Sequence, residues 1–156
     1  MKVIFLDVDG VLNFYRSVFG LGGYGHDFTN ESMAKFDNCA LGMIRKVCQE
    51  TGAVICFSST WRIGRSPEEC AKGLDLPIID KTPSLNAIRG LEIKTWLDQH
   101  PEVERYAIID DDSDMLEEQK PFFVHTDHRD GFLFDHYKQT LNLLSEKKLE
   151  SDLILL

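Results

Sequence analysis

The sequence predicts an α/β fold with a Rossmann-like, mostly parallel sheet and helices on both faces. The first observation is a set of short, continuous apolar runs, KVIFL (2–6), AVICF (53–57) and YAII (106–109). The second is that segments with helical spacing of apolar residues separate these runs, as in a parallel sheet covered on both faces. The third is that all three runs end in polar residues. Ligands of such sheets bind at the carboxyl ends of the strands.

The N-terminal part of the chain supplies one strand, one loop and one helix. Residues 2–6 are rich in β-branched and aromatic residues, which favours a buried strand. Residues 14–32 contain several glycines and predict a long flexible loop or a small flap, too short for an independently folded cap domain. Residues 33–51 have apolar residues at helical spacing, and Gly52 is a typical residue for ending that helix.

The remaining elements alternate between strands and helices. Pro67 favours the first turn of one helix, and Pro101 ends another. The final DLILL segment (152–156) fits a helix end or a strand equally well. The predicted strands are 53–57, 77–79, 106–109 and 122–125, and the predicted helices are 67–73, 91–99 and 135–148.

Composition limits the classes of function. A length of 156 residues fits a single domain over 1–156, and apolar runs of about five residues are too short to span a membrane. The net charge of −9 argues against a broad electrostatic grip on nucleic acid, although a local basic groove remains possible. The four cysteines form no CxxC pair, and Cys56 lies inside an apolar run as a reduced core residue would, which favours a cytoplasmic protein. No obligate protein partner is evident.

Two pairs of aspartates follow buried strands. Asp7 and Asp9 are spaced by one residue, so their side chains point the same way. Asp110 and Asp111 follow the run at 106–109. Carboxylates brought together at one sheet edge repel each other, and a divalent cation offsets that cost. Magnesium favours oxygen ligands, so the pairs predict a Mg²⁺ site.

The ordered motifs resemble those of the haloacid dehalogenase (HAD) superfamily of phosphohydrolases, in its small type without a cap. FLDVDGVLN is similar to the first motif, and the resemblance makes Asp7 the nucleophile and Asp9 the general acid/base. AVICFSS is similar to the second motif and makes Ser58 a phosphate ligand. YAIIDDDSDM is similar to the fourth motif. The resemblance implies an aspartyl-phosphate intermediate and Mg²⁺ held by Asp7, the Asp9 backbone carbonyl and either Asp110 or Asp111.

The third motif of that superfamily is a basic residue, and three residues compete for it. Arg89 lies in AIRGLEIKTWL, in a register similar to that of polynucleotide kinase-phosphatases. A basic group there suits the charge of a phosphate, so Arg89 is favoured. Lys94 falls near the middle of a predicted helix and reads as a surface charge, and Lys81 is the other alternative.

The segment SSTWR follows the second strand directly and so falls at the predicted site edge. Ser59 joins Ser58 as a candidate phosphate-binding residue. Trp61 is a candidate for stacking on a base or ring, and Arg62 is a candidate for gripping a second phosphate. SSTWR, RGLEI and DDDSDM together resemble HAD domains of RNA-repair proteins, which implies a nucleotide or nucleic-acid end as substrate.

Other functions stay open at the level of sequence. A small-metabolite phosphatase, such as one acting on a sugar phosphate, and a phosphotransferase would use the same motifs. A response-regulator receiver also binds phosphate on an aspartate, but it places its acidic pair after the first strand and a lone aspartate later. A catalytically inactive binding domain of the same fold is the remaining alternative. Intact Asp7 and Asp9 argue against it.

Overall fold

The structure, a computed structural model, describes residues 1–145. Its centre is a five-stranded, all-parallel sheet in the order β3-β2-β1-β4-β5. The strands are β1 (Lys2–Leu6), β2 (Val54–Phe57), β3 (Ile78–Lys81), β4 (Arg105–Asp110) and β5 (Phe123–His125). The predicted α/β class with a parallel sheet is confirmed.

Six α-helices accompany the sheet in the described part of the chain. They are α1 (Tyr15–Leu21), α2 (Asn30–Met33), α3 (Asn38–Thr51), α4 (Pro67–Leu74), α5 (Arg89–Asp98) and α6 (Phe134–Leu144). Asp37 caps α3 by accepting from the backbone N–H of Ala40, and Gly52 ends that helix in the left-handed region (φ 74°). Pro67 begins α4, as its position predicts.

The two faces of the sheet bury separate clusters because side chains alternate along each strand. On one face, Ile4 and Leu6 of β1 pack with residues of α3, α4 and α6, including Ile44. On the other face, Val3 and Phe5 pack with α5 and its Trp96, among others. Helices therefore cover both faces, and the carboxyl ends of the strands are left to form the site.

The segment 14–32, predicted as a flexible loop or a small flap, is partly helical instead. Its first half is the helix α1, and α2 begins at its end. The predicted helix 33–51 begins at Asn38 instead, because Asp37 caps its first turn, and Met33 belongs to α2. No cap domain is inserted within residues 1–145, as predicted. The last predicted helical residues (146–148) and the DLILL segment lie outside the described residues.

No helix within the described part of the chain combines the length and the apolar character needed to cross a membrane.

Candidate active site

The carboxyl ends of three neighbouring strands bring the polar residues together. β1 lies between β2 and β4, and Leu6 is in register with both Phe57 and Ile109. The residues that follow are therefore neighbours too. The Asp7 backbone N–H donates to the Ile109 carbonyl (3.0 Å), and the Ser58 N–H donates to the Leu6 carbonyl (3.1 Å).

An acidic cluster forms at this edge from Asp7, Asp110 and Asp111. One carboxylate oxygen from each lies within 4.8 Å of the others. Asp7 and Asp110 are buried, and Asp111 is half-buried. Burial, together with the charge of Asp7, raises the pKa values of Asp110 and Asp111 above the usual carboxyl range. A set of oxygen donors alone fits a hard divalent cation, which would favour the ionised carboxylates.

Arg89, at the first residue of α5, contacts two members of this cluster. Its Nη1 donates to Asp110 Oδ2 at 2.8 Å and lies 3.1 Å from Asp7 Oδ1. The Asp114 carboxylate accepts from the Arg89 backbone N–H (3.1 Å), which anchors the start of the helix. Burial lowers the pKa of Arg89, but Asp7 and Asp110 outweigh it, so the net pKa is raised and the guanidinium stays charged.

The two lysines that compete with Arg89 in the sequence lie elsewhere. Lys81 Nζ donates to the backbone carbonyls of Arg62 (3.2 Å) and Arg65 (2.9 Å). Lys94 forms an exposed pair with Asp98 one helical turn later. Of the three candidates, the fold therefore brings Arg89 to the carboxylates.

The two serines after β2 differ in their hydrogen bonding. Ser58 is fully buried, and its Oγ has no hydrogen-bond partner among the described residues. A buried hydroxyl without a hydrogen bond is unfavourable unless a ligand supplies the missing partner. The Ser58 hydroxyl is therefore suited to donate to a phosphate oxygen. Ser59 Oγ accepts from the Trp61 backbone N–H (3.2 Å) and caps the short 3₁₀ turn Thr60–Arg62.

Gly10 is required by the geometry of this site. Its φ of +86° lies in the left-handed region, and a Cβ built there would lie 2.1 Å from Asp111 Cγ. Thr126 Oγ1 donates to the Gly10 carbonyl at 2.8 Å and fixes the turn. The glycine lets the turn after β1 approach the acidic pair after β4.

The family described as the HAD domain in Swiss Army Knife RNA repair proteins matches residues 3–136. The chain belongs to this family. The match extends from β1 into α6, so every site residue described above lies inside it. Searches of curated proteins and of solved structures found no match.

In this HAD domain, Asp9 is surrounded by hydrogen-bond donors. Trp61 Nε1 donates to Asp9 Oδ2 (3.3 Å), and Asn13 Nδ2 lies 3.5 Å from Asp9 Oδ1. The Tyr24 phenol also lies against this carboxylate, and burial followed by the contact with Asp9 raises the Tyr24 pKa well above its ordinary value. The Asp9 side chain is not part of the acidic cluster. A metal contact through its backbone carbonyl remains a prediction.

Tyr24 and Asn13 belong to the site although no motif in the sequence marks them. Asn13 ends the KVIFLDVDGVLN segment, and its Nδ2 also donates to the Gly25 carbonyl (2.8 Å), which holds the 14–32 segment near the turn. Tyr24 lies among glycines with no periodic pattern around it. Only the return of the chain over Asp9 gives it a place in the site.

The environment of Trp61 argues against the stacking role expected from the sequence. Trp61 is only 7% exposed, and its ring lies 5.5 Å from the ring centroids of both Phe28 and Phe36. The guanidinium of Arg65 lies 5.1 Å from the Trp61 ring centroid. With neighbours packed around it, the indole is not placed to receive a base. Its polar contact is the one with Asp9.

Arg62 likewise points into the protein rather than toward a second phosphate. Its five N–H donors are matched by five hydrogen bonds of 2.9–3.3 Å. Four go to backbone carbonyls, which belong to Ser58, Ser59, Thr82 and Pro83. The fifth goes to the buried Glu92 carboxylate. Arg62 therefore ties the loop after β2 to the loop after β3, and no donor is left over for a substrate.

Proposed function

We propose that this HAD domain is a Mg²⁺-dependent phosphatase that removes a terminal phosphate from a nucleic-acid end through an aspartyl-phosphate intermediate on Asp7. One observation carries the proposal above all others. Asp7 lies at the end of the central strand, within the acidic cluster and 3.1 Å from the guanidinium of Arg89. The family of RNA-repair HAD domains supports the same chemistry.

The residues around Asp7 are suited to distinct parts of phosphoryl transfer. A carboxylate oxygen of Asp7 attacks phosphorus and displaces the alcohol. The Arg89 guanidinium pairs with phosphate oxygens, and the Ser58 hydroxyl, which has no partner of its own, donates to another. Asp7 and Asp110, with Asp111, would hold Mg²⁺, which supplies the positive charge that brings the phosphate and the carboxylates together.

Asp9 is proposed to transfer the protons. It protonates the leaving oxygen in the first half-reaction and activates water against the phosphoaspartate in the second. Trp61, Asn13 and Tyr24 fix the orientation of its carboxylate. These contacts explain how a side chain outside the acidic cluster can be held ready for both steps.

The choice of a nucleic-acid end over a small metabolite rests on the family, whose described members are RNA-repair proteins. The net charge of −9 opposes a polyanion at long range. A single terminal phosphate needs only local contacts, and the buried Arg89 supplies a local positive charge. The proposal therefore requires recognition of an end rather than of a long stretch of backbone.

Phosphate release tests the proposal. The substrates are oligonucleotides with 3′- or 5′-phosphates, mononucleotides, a sugar phosphate and a phosphopeptide. Each is assayed in the presence of EDTA and again after Mg²⁺ is restored. Asp7→Asn should abolish turnover. Asp112→Asn makes the same change of charge at an exposed neighbouring residue and should leave turnover unchanged.

Two results would count against the proposal in different ways. Substantial activity in Asp7→Asn or in EDTA would refute the mechanism. A higher kcat/KM for the sugar phosphate than for every oligonucleotide would leave the mechanism intact but favour a small-metabolite phosphatase.

A further inference from the structure

An aromatic cleft of about 450 Å³ opens directly beside the candidate site. It is lined by Asp9 and Asp111 and by the rings of Tyr15, Phe19, Tyr24 and His128. The cleft shares Asp9, Gly10, Asn13, Tyr24 and Asp111 with the site, and it continues from there along the 14–32 segment. Tyr24 orients Asp9 in the chemistry proposed above, whereas the rings of Tyr15, Phe19 and His128 have no role in it.

The rings are unusually exposed for apolar groups. Phe19 is 85% exposed, Tyr15 58% and Tyr24 44%. Single exposed apolar residues need no explanation, but several around one concave surface indicate a binding site. Helix α1 and the segment after it therefore present an aromatic surface to a ligand instead of burying it in the core.

The cleft is held in shape by contacts between α1 and a distant loop. The Tyr15 backbone N–H donates to the His128 carbonyl (3.1 Å), and the Arg16 N–H donates to the Arg129 carbonyl (2.9 Å). The Tyr15 and His128 rings meet edge to face, with centroids 5.2 Å apart. These bonds join the start of α1 to the loop after β5, so two walls of the cleft are fixed relative to each other.

We propose that this cleft binds the unpaired terminal base of the substrate while its phosphate lies at Asp7. This inference rests on the proposed function and specifies which part of a nucleic-acid end is recognised. Aromatic side chains bind bases of any sequence by stacking, because every base has a π-face. A cleft of this volume suits one small ring system rather than a run of nucleotides.

Charge favours a base over the phosphate backbone as the occupant. The carboxylates of Asp9 and Asp111 line the cleft, where they repel anions but accept hydrogen bonds from a neutral ring. The base must also be free of its partner, since a paired base has to be unstacked at a cost of a few kcal/mol before it can enter a pocket. The inference therefore predicts that single-stranded ends react faster than blunt duplex ends of the same sequence.

Phe19→Ala tests the cleft, since the exposed ring can be removed without opening the core. The substrates are two oligonucleotides that differ only in a normal or an abasic residue at the phosphorylated end. The wild-type chain should favour the normal end, and Phe19→Ala should reduce that preference by about 5- to 150-fold, the range measured for one stacked base. Leu21→Ala, on the same helix but outside the cleft, is the matched control and should leave the preference for the normal end unchanged.

A binding measurement separates failure of this inference from failure of the proposed function. The Asp7→Asn chain is titrated with an oligonucleotide whose phosphorylated terminal base is 2-aminopurine, the fluorescence of which falls on stacking. Adding Phe19→Ala should weaken binding by the same factor and restore the fluorescence. Adding Leu21→Ala should do neither.

Equal reactivity of normal and abasic ends, or equal binding with and without Phe19→Ala, would overturn the base site while leaving the phosphatase proposal in place. Absence of phosphate release from every substrate would refute the proposed function. The fluorescence titration would then still decide whether the cleft binds a base.

Discussion

Replacing Arg62 by Met separates a structural arginine from one that grips substrate. The sequence assigns Arg62 to the substrate, whereas the structure shows its guanidinium bonded to Glu92 (3.0 Å) and to four backbone carbonyls. Methionine keeps most of the apolar stem and removes the charge and all five donors. We expect a large loss of stability and little change in KM.

The magnitude follows from the burial of the ion pair. The side chains of Arg62 and Glu92 are 4% and 8% exposed, so solvent screens their interaction little. Removing one partner of such a pair leaves an uncompensated buried charge, which typically costs about 3–5 kcal/mol. For a chain of this size, each kcal/mol lowers the melting temperature by about 2–4 °C, so the expected decrease is about 6–20 °C.

Thermal and urea unfolding, followed by circular dichroism, measure this change. Lys94→Met is the control, because it removes the exposed ammonium from the Lys94–Asp98 pair. An exposed pair of this kind stabilises the fold by only about 0.3–0.5 kcal/mol. Glu92→Gln is a milder second variant, since its amide oxygen can still accept from the Leu85 N–H that Glu92 now binds at 2.8 Å. Kinetics are measured well below the melting temperature of each variant.

A melting temperature within about 2 °C of wild type, combined with a tenfold higher KM, would refute this reasoning. It would show that the guanidinium leaves its internal partners to bind substrate. The sequence-based assignment of Arg62 would then be right.

Three further variants test the geometry of the site. Gly10→Ala forces a Cβ against Asp111 at a positive φ, and we expect thermal unfolding to show a loss of about 1–3 kcal/mol and activity to need more Mg²⁺. Trp61→Phe keeps an aromatic ring but removes the donor to Asp9, the proposed general acid, and steady-state kinetics should show kcat lower by about 10- to 150-fold at a similar KM. An equal fall in oligonucleotide affinity would restore the stacking role. Arg89→Gln should lower kcat/KM by about 10²–10³-fold, while Lys94→Gln leaves it unchanged, and similar effects of both would contradict the assignment.

The sheet was predictable because its strands carry their own signal. Apart from Lys2, the runs at 2–6, 53–57 and 106–109 consist of apolar and aromatic residues, a pattern typical of strands buried on both faces. The order of the strands is different in kind. Nothing local in the sequence places β1 between β2 and β4. That order depends on how the helices pack on the two faces of the sheet.

Helix α1 was missed because its stability comes from distant contacts. The helix contains Gly20 and exposed aromatic residues instead of the periodic apolar face that marks a helix, and it is followed directly by Gly22 and Gly23. The backbone bonds of Tyr15 and Arg16 to the loop after β5 hold it in place. Those bonds join residues more than a hundred positions apart, and no local pattern announces them.

The sequence by itself determined that Asp7, Ser58 and Asp110 meet at the site, because strand ends converge at one edge of a parallel sheet and each of the three follows or ends a strand. The tertiary structure decided the directions in which the neighbouring side chains point. Arg89 turns to the carboxylates, whereas Arg62 turns inward to Glu92. Both are arginines near strand or helix ends, and they differ in which unpaired acceptors the fold places within reach. A buried charge is stable only beside such partners, and their positions are set by the whole chain.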